Sequence, residues 1–257
     1  MSELTPWSKE WKDQRLFELF EQWQVCEGCL LSQTRTNVVF GMGNPDARVL
    51  LIGEGPGEEE DRTGQPFQGP SGDLLQALVG KAGLKWDDIY LTNLVGCRPT
   101  DDKGKNRDPS VLERDTCMPR VQEIIYLVDP WIVVPVGKVA LKALAKGRDW
   151  AITEHHGRTF SSPHVSFKMT GDRNSAEIPG RVFPRKDPDK REVHLEYDMI
   201  PILHPSYLLR EDSYNADKKE YSTDGVTYQT FKDLKHIRLT LAALEKAYAE
   251  VPSFTRR

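Results

Sequence analysis

The sequence predicts an α/β protein: a three-layer α/β/α sandwich around a central, mostly parallel sheet. Three observations lead there. Short apolar runs recur at Val49–Ile52, Ile89–Val95 and Trp131–Val136. Helical patterns separate them, over Asp73–Lys81 and from near Pro109 to Asp129. The first run also passes into a Gly/Pro-rich loop that opens a helix. Strands alternating with helices build a parallel sheet covered on both faces.

The elements follow in order. Residues 8–24 read as a helix, with Trp11, Leu16, Phe17, Phe20 and Trp23 at three- and four-residue spacings. Strand one ends at Ile52, and its helix starts near Asp73. Strand two ends in Thr92 and Asn93, and the polar loop RPTDDKGKNRDP follows. Pro109 suits a first helical position, and Asp129-Pro130 stops that helix. Strand three leads through Gly137 into a helix to Leu144. Arg181–Phe183 and Val193–Leu203 flank the turn-like Asp187–Lys190, which predicts a hairpin. Thr230–Ala249 closes the chain as a helix.

Length and composition bound the rest. The 257 residues suit one large α/β domain, predicted to span 1–257 with an insertion at about 157–199 and a polar loop at about 211–228. At 38% hydrophobic and 29% charged residues, the chain can build an ordinary core. No apolar run reaches the ~20 residues of a membrane helix. The N-terminus, MSELTPWSKEWKDQ, lacks the apolar segment of a signal peptide. A cytoplasmic protein with no membrane partner is expected. The net charge of −4 argues mildly against nucleic acid, although local basic patches count for more than the sum.

The four cysteines are Cys26, Cys29, Cys97 and Cys117. A reducing cytosol disfavours disulfides. One tight C-x-x-C pair among so few thiols points to a single metal centre, either zinc or an iron–sulfur cluster.

The most informative stretch is GEGPGEEEDRTGQPFQGPSGDLL, Gly53–Leu75. It lies beyond the C-terminal end of a strand, where open α/β sheets bind ligands. Glu54 and the run Glu58–Asp61 make it too acidic to cradle phosphate. Phe67, set between Pro66 and Gly69, suits a pocket that reads a flat, uncharged ring.

Six motifs in order resemble the family 4 uracil-DNA glycosylases, the iron–sulfur branch of the uracil-DNA glycosylase superfamily. They are GEGPG (53–57), PFQGPSG (66–72), LTN (91–93), CRP (97–99), NRDP (106–109) and HPSYLLR (204–210). The resemblance spans roughly residues 24–148 and 200–210. It implies that Cys26, Cys29, Cys97 and Cys117 hold a 4Fe–4S cluster, and that the partner is uracil-containing DNA. It implies that Phe67 stacks on a base flipped out of the helix, with core packing as the alternative. Asn93 would pair with uracil O4 and N3–H, a pattern that cytosine reverses. His204 would donate to uracil O2 as the base departs with negative charge. Ser206 and Arg210 would contact phosphate, and in the Pro99–Pro109 loop Lys103, Lys105 and Arg107 by themselves suit phosphate contacts, or else form a solvated charged loop. Leu208 would wedge into the vacated stack, or else pack in the core.

Two departures stand out. Relatives outside the branch place Asp or Asn at the third position of the first motif to hold the attacking water, and family 4 has Ala. This chain has Gly55, which would line the base site but cannot act as a base. Glu54 then either positions water as a catalytic carboxylate or braces the loop. The Pro99–Pro109 loop also lacks the histidine with which a related branch traps the sugar. The expected activity is hydrolysis of the N-glycosidic bond of uracil, leaving an abasic site. The rivals are a glycosylase for another modified base and a non-catalytic iron–sulfur protein that binds damaged DNA. The basic residues Arg185, Lys186, Lys190 and Arg191 at the predicted hairpin tip either flank the DNA or decorate the surface.

Overall fold

The computed structural model describes residues 5, 7–145, 148–161, 165–168, 192–195, 197–211 and 225–249. Helix α1 (Lys9–Gln24) is capped by Ser8, whose hydroxyl accepts the Trp11 N–H at 3.2 Å. Then come β1 (Met42–Gly43), β2 (Val49–Gly53), α2 (Glu58–Thr63), α3 (Gly69–Lys81), β3 (Ile89–Asn93), α4 (Val111–Val128), β4 (Ile132–Pro135) and α5 (Lys138–Leu144). The remainder comprises α6 (Ile152–His155), β5 (Phe160–Ser161), β6 (Val165–Lys168), β7 (Glu192–Leu195), β8 (Asp198–Met199), α7 (Pro205–Glu211) and α8 (Val226–Ala249).

The main sheet has the order β1-β3-β2-β4-β8-β5. Its centre, β3-β2-β4-β8, is parallel, and the short edge strands β1 and β5 run antiparallel. Every residue of β2, β3 and β4 is buried, as a parallel sheet covered on both faces requires. Successive residues face opposite layers. Leu50, Ile52 and Val133 pack with α1, α4 and α5. Val49, Leu51, Ile132 and Val134 pack with α3, α7 and α8. This is the expected α/β/α sandwich.

The order 3-2-4 makes the chain leave β2 for one neighbour and return to the other. The crevice at that reversal, beyond the C-terminal ends of β2 and β4, is the natural ligand site.

Three boundaries differ from the sequence reading. Helix α3 starts at Gly69 rather than Asp73, with Pro70 in its first turn, where a missing N–H costs nothing. Helix α4 starts after Ser110 rather than at Pro109. Ser110 accepts the Glu113 N–H while the Glu113 carboxylate accepts the Ser110 N–H, a reciprocal cap. The expected strand Val193–Leu203 is broken. Its first part, β7, pairs antiparallel with β6, β8 joins the main sheet, and Ile202 bridges to Val136. The predicted hairpin tip and its basic residues lie outside the described residues, as does most of the polar loop at 211–228. No helix among the described residues is long and apolar enough to cross a membrane.

Candidate active site

A cavity of about 760 Å³ opens beyond the C-terminal ends of the central strands. Glu54 and Gly55 enter it from the end of β2, Asn93 from β3, and His204 and Arg210 from the segment after β8. Phe67 comes from the α2–α3 loop. Residues far apart in sequence, from Glu54 to Arg210, meet because parallel strands deliver all their ends to one edge.

Phe67 forms part of the wall, 8% exposed, and its backbone is left-handed at φ 54°. That conformation costs on the order of 1 kcal/mol or more outside glycine, so the surroundings must hold it. Two glycines do. A Cβ at Gly72 would collide with the Phe67 carbonyl. One at Gly53 would strike Asn93 Oδ1 and lie 2.9 Å from Phe67 Cζ. The ring and the Asn93 amide therefore meet over bare backbone.

Asn93 is buried at 4% exposure, and its register opposite Gly53 fixes its height in the sheet. The His204 side chain packs against Gly137 at the end of β4. His204 Nδ1 accepts the Ser206 N–H at 3.2 Å and lies 2.8 Å from the Ser206 hydroxyl. A backbone N–H can only donate, so Nδ1 is unprotonated and Nε2 carries the hydrogen. Burial, helped by the nearby Arg210 charge, pushes the His204 pKa down to about 4. The imidazole is thus a neutral N–H donor at pH 7.

Opposite stands Glu54, pushed up to about 7 by burial first and then by Asp108, whose side chain hydrogen-bonds it. A neighbouring carboxyl disfavours the charged form of Glu54. Lys138 Nζ lies 3.9 Å from Asp108. Asp108 and Lys138 also line the cavity, and the sequence reading singled out neither. Asp108 was visible only as the third letter of NRDP, and Lys138 only as the residue after Gly137.

One expected DNA contact is corrected. Leu208 is fully buried, among Leu234, Ile237 and Leu241 of α8, and cannot wedge into a base stack from there. Its neighbour Leu209 is 40% exposed. Arg107 lines the cavity and is also tied into the fold: its guanidinium grips both Glu113 oxygens at 2.7 and 2.8 Å and donates to Thr100 O and Asp108 O. It pins the loop to the cap of α4. Ser206 orients His204. Lys105 is exposed and stands apart from the cavity wall, while Arg210 reaches the rim.

The four cysteines gather at one place. Cys29 feels the charges of Cys117 and Cys26, and Cys97 those of Cys117 and Cys29. Burial raises the Cys97 thiol to about 11, with Arg35 opposing. Among the described residues no three Cys, His, Asp or Glu side chains stand at coordinating spacing, so the thiols are neighbours rather than a closed cage. Their surroundings are cationic nonetheless. Arg35 reaches Cys97 Sγ at 3.6 Å. Arg120 lies one turn after Cys117 on α4 and keeps a buried Nε without a partner. Such a setting fits thiolates bound to an anionic cluster.

The family model of the Uracil DNA glycosylase superfamily matches residues 40–224. A Type-4 uracil-DNA glycosylase of Thermotoga maritima is 34% identical over 193 residues, which is 75% of this chain and 82% of that one. A Type-4 uracil-DNA glycosylase of Sulfurisphaera tokodaii is 37% identical over 216 residues, 84% of this chain and 81% of that one. With six ordered motifs, an α/β/α sandwich and a shared cavity behind it, the chain belongs to the uracil-DNA glycosylase superfamily, in its type-4 branch.

Proposed function

We propose that this chain binds DNA, flips uracil into the cavity and hydrolyses its N-glycosidic bond, leaving an abasic site. The observation that carries the reading is the meeting of Phe67, Asn93 and a neutral, Nε2-protonated His204 on one cavity. Phe67 offers a face for the ring. The Asn93 amide accepts from N3–H and donates to O4. His204 Nε2–H meets O2.

As the C1′–N1 bond breaks, its electron pair moves onto the departing base and accumulates at N1 and O2. A donor already aimed at O2 gains strength as charge develops there. A neutral imidazole does this without first losing a proton. Ionised Glu54 takes the proton from the water that bonds to C1′. Gly55 leaves the carboxylate beside it as the nearest acceptor.

Cys26, Cys29, Cys97 and Cys117 would hold the 4Fe–4S cluster. When bound it would supply charge and cross-links, since the hydrolysis moves no electrons. Arg210 and Lys105 are the proposed phosphate contacts, and Leu209 takes over the wedge position that Leu208 cannot fill.

The test is incubation with oligonucleotides bearing one uracil, hypoxanthine, xanthine or mismatched thymine, followed by alkaline cleavage of abasic sites. Cleavage at uracil supports the reading. Cleavage at hypoxanthine or xanthine alone assigns a different base, and binding without cleavage a sensor. Iron and sulfide in anaerobically purified protein support the cluster, and stoichiometric zinc without sulfide refutes it.

A further inference from the structure

The polar loop between Pro99 and Pro109 is braced beyond what a surface connection needs. Asp101 Oδ1 accepts the Lys103 and Lys105 N–H groups, both at 2.9 Å. The Asp101 N–H meets Lys105 O at 2.8 Å, and the Arg107 N–H meets Pro99 O at 3.1 Å. Thr100 and Asn106 form an antiparallel bridge. Arg98 ties the loop to α2. Its Nη2 reaches Gly104 O at 3.3 Å and Glu58 at 3.1 Å, and its Nε donates to Asn106 Oδ1 at 2.7 Å. Apolar burial contributes little, since residues 101–108 are all exposed. Contact residues are found on such loops when a rigid scaffold holds them.

The Arg98 bond settles which way the Asn106 amide points. A guanidinium Nε–H only donates, so the atom facing it is oxygen and Nδ2 lies on the other side. That side is the cavity. Asn106 lines it, and a Cβ placed at Gly57 would lie 3.5 Å from Nδ2. Among the described residues nothing accepts a hydrogen bond from Nδ2. The wall nearby carries the Glu58 and Glu60 carboxylates, which repel phosphate wherever no donor offsets them. The base edges already have Asn93 and His204 deeper in. A nucleotide that enters base first leaves its phosphodiester at the mouth, where Asn106 stands exposed.

We propose that Asn106 is a DNA-contacting residue whose Nδ2 donates to a phosphodiester oxygen beside the flipped nucleotide, and that Arg98 is the positioning residue that aims it. This rests on the reading of the cavity as the site of a flipped uracil.

The test measures the dissociation constant of duplexes carrying 2′-fluorinated deoxyuridine, which resists cleavage, on wild type, Asn106→Asp and Asn106→Ala. Each duplex has either ordinary phosphates or one uncharged methylphosphonate, immediately 5′ or 3′ of the uridine. Asn106→Asp keeps an oxygen for the Arg98 Nε–H but replaces the donor with an anion. A merely structural role therefore predicts no loss, whereas the proposed contact predicts binding to the ordinary duplex weakened about tenfold or more. Asn106→Ala should weaken it by about threefold or more. On one of the two methylphosphonate duplexes both penalties should shrink to about twofold or less, because the charged acceptor is gone. Free uracil, which carries no phosphate, should bind all three proteins alike. Arg98→Met should weaken the ordinary duplex about as much as Asn106→Ala does, and by less than about twofold once Asn106 is alanine. Equal penalties on all three duplexes, wild-type affinity in Asn106→Asp, or weakened free uracil in that variant each overturn the contact. An Arg98→Met loss that persists without Asn106 overturns the positioning. Wild type that binds these duplexes but releases no uracil from unfluorinated DNA counts against the proposed reaction, not against Asn106.

Discussion

His204 and Glu54 face the same cavity, and burial moves them in opposite directions. The histidine falls to about 4 and the carboxylic acid rises to about 7. Removal from water disfavours whichever form is charged, which is the acid form of imidazole and the base form of a carboxyl. Neighbours sharpen the split: the Arg210 cation helps keep His204 neutral, and Asp108 helps keep Glu54 protonated. One low-dielectric pocket thereby holds a fixed N–H donor and a proton acceptor balanced at neutral pH. Pairs pushed apart in this way mark acid–base assignments.

The largest test of the contrast is His204→Ala. Loss of a donor to developing charge costs about 3–4 kcal/mol, roughly 10²–10³ in single-turnover rate, while DNA binding should persist. An unchanged rate would break the comparison at its donor side. The acceptor side is read from the pH–rate profile. Glu54 must be ionised to take a proton, so the rate should rise with pH through about 7. No fall is expected over that window from His204, which is already neutral. Asp108→Asn removes a neighbour that raises Glu54, so the rising limb should move to lower pH. A limb that stays put would detach Asp108 from Glu54.

Arg107 and Lys105 sharpen the contrast between structure and contact within one loop. Burial by itself would raise Glu113, but its ion pair with Arg107 and its bonds to Ser110 bring it down from 4.5 to about 2. A carboxylate with a lowered pKa contributes stability that is present above 4.5 and lost as pH falls toward 2. Arg107→Ala should cost about 2 kcal/mol at neutral pH and flatten that acid-sensitive window in denaturant titrations. Lys105→Ala has the smallest expected effect. It should leave stability unchanged and reduce the salt slope of DNA binding by about one.

Glu54 and Asn93 were legible because each stands at the end of an apolar run that reads as a strand, whereas Phe67, in the α2–α3 loop, and His204, after β8, were singled out by the motifs around them. Leu208 and Leu209 were harder, being adjacent leucines in a short helix. Only the phase of α7 against α3 and α8 decides which is buried, and no periodicity resolves seven residues. The pairing of Arg107 with Glu113, six residues on, was not legible, because a loop cation and a carboxylate inside the next helix have no sequence signature of pairing. Ser110 displaced Pro109 as the start of α4 because the reciprocal bond with Glu113 outweighs the preset backbone of proline.

The contact beneath Phe67 has a consequence for how such a pocket can change. With no room for any Cβ at Gly72, and with Phe67 held in a left-handed conformation, the floor cannot shift by small mutational steps. A lineage drifting toward a bulkier base, or a library built to reach one, would find residue 72 fixed and residue 67 variable only in its side chain. New base preferences should therefore arise on the opposite wall, and only a wholesale replacement of residues 66–72 would relocate the floor.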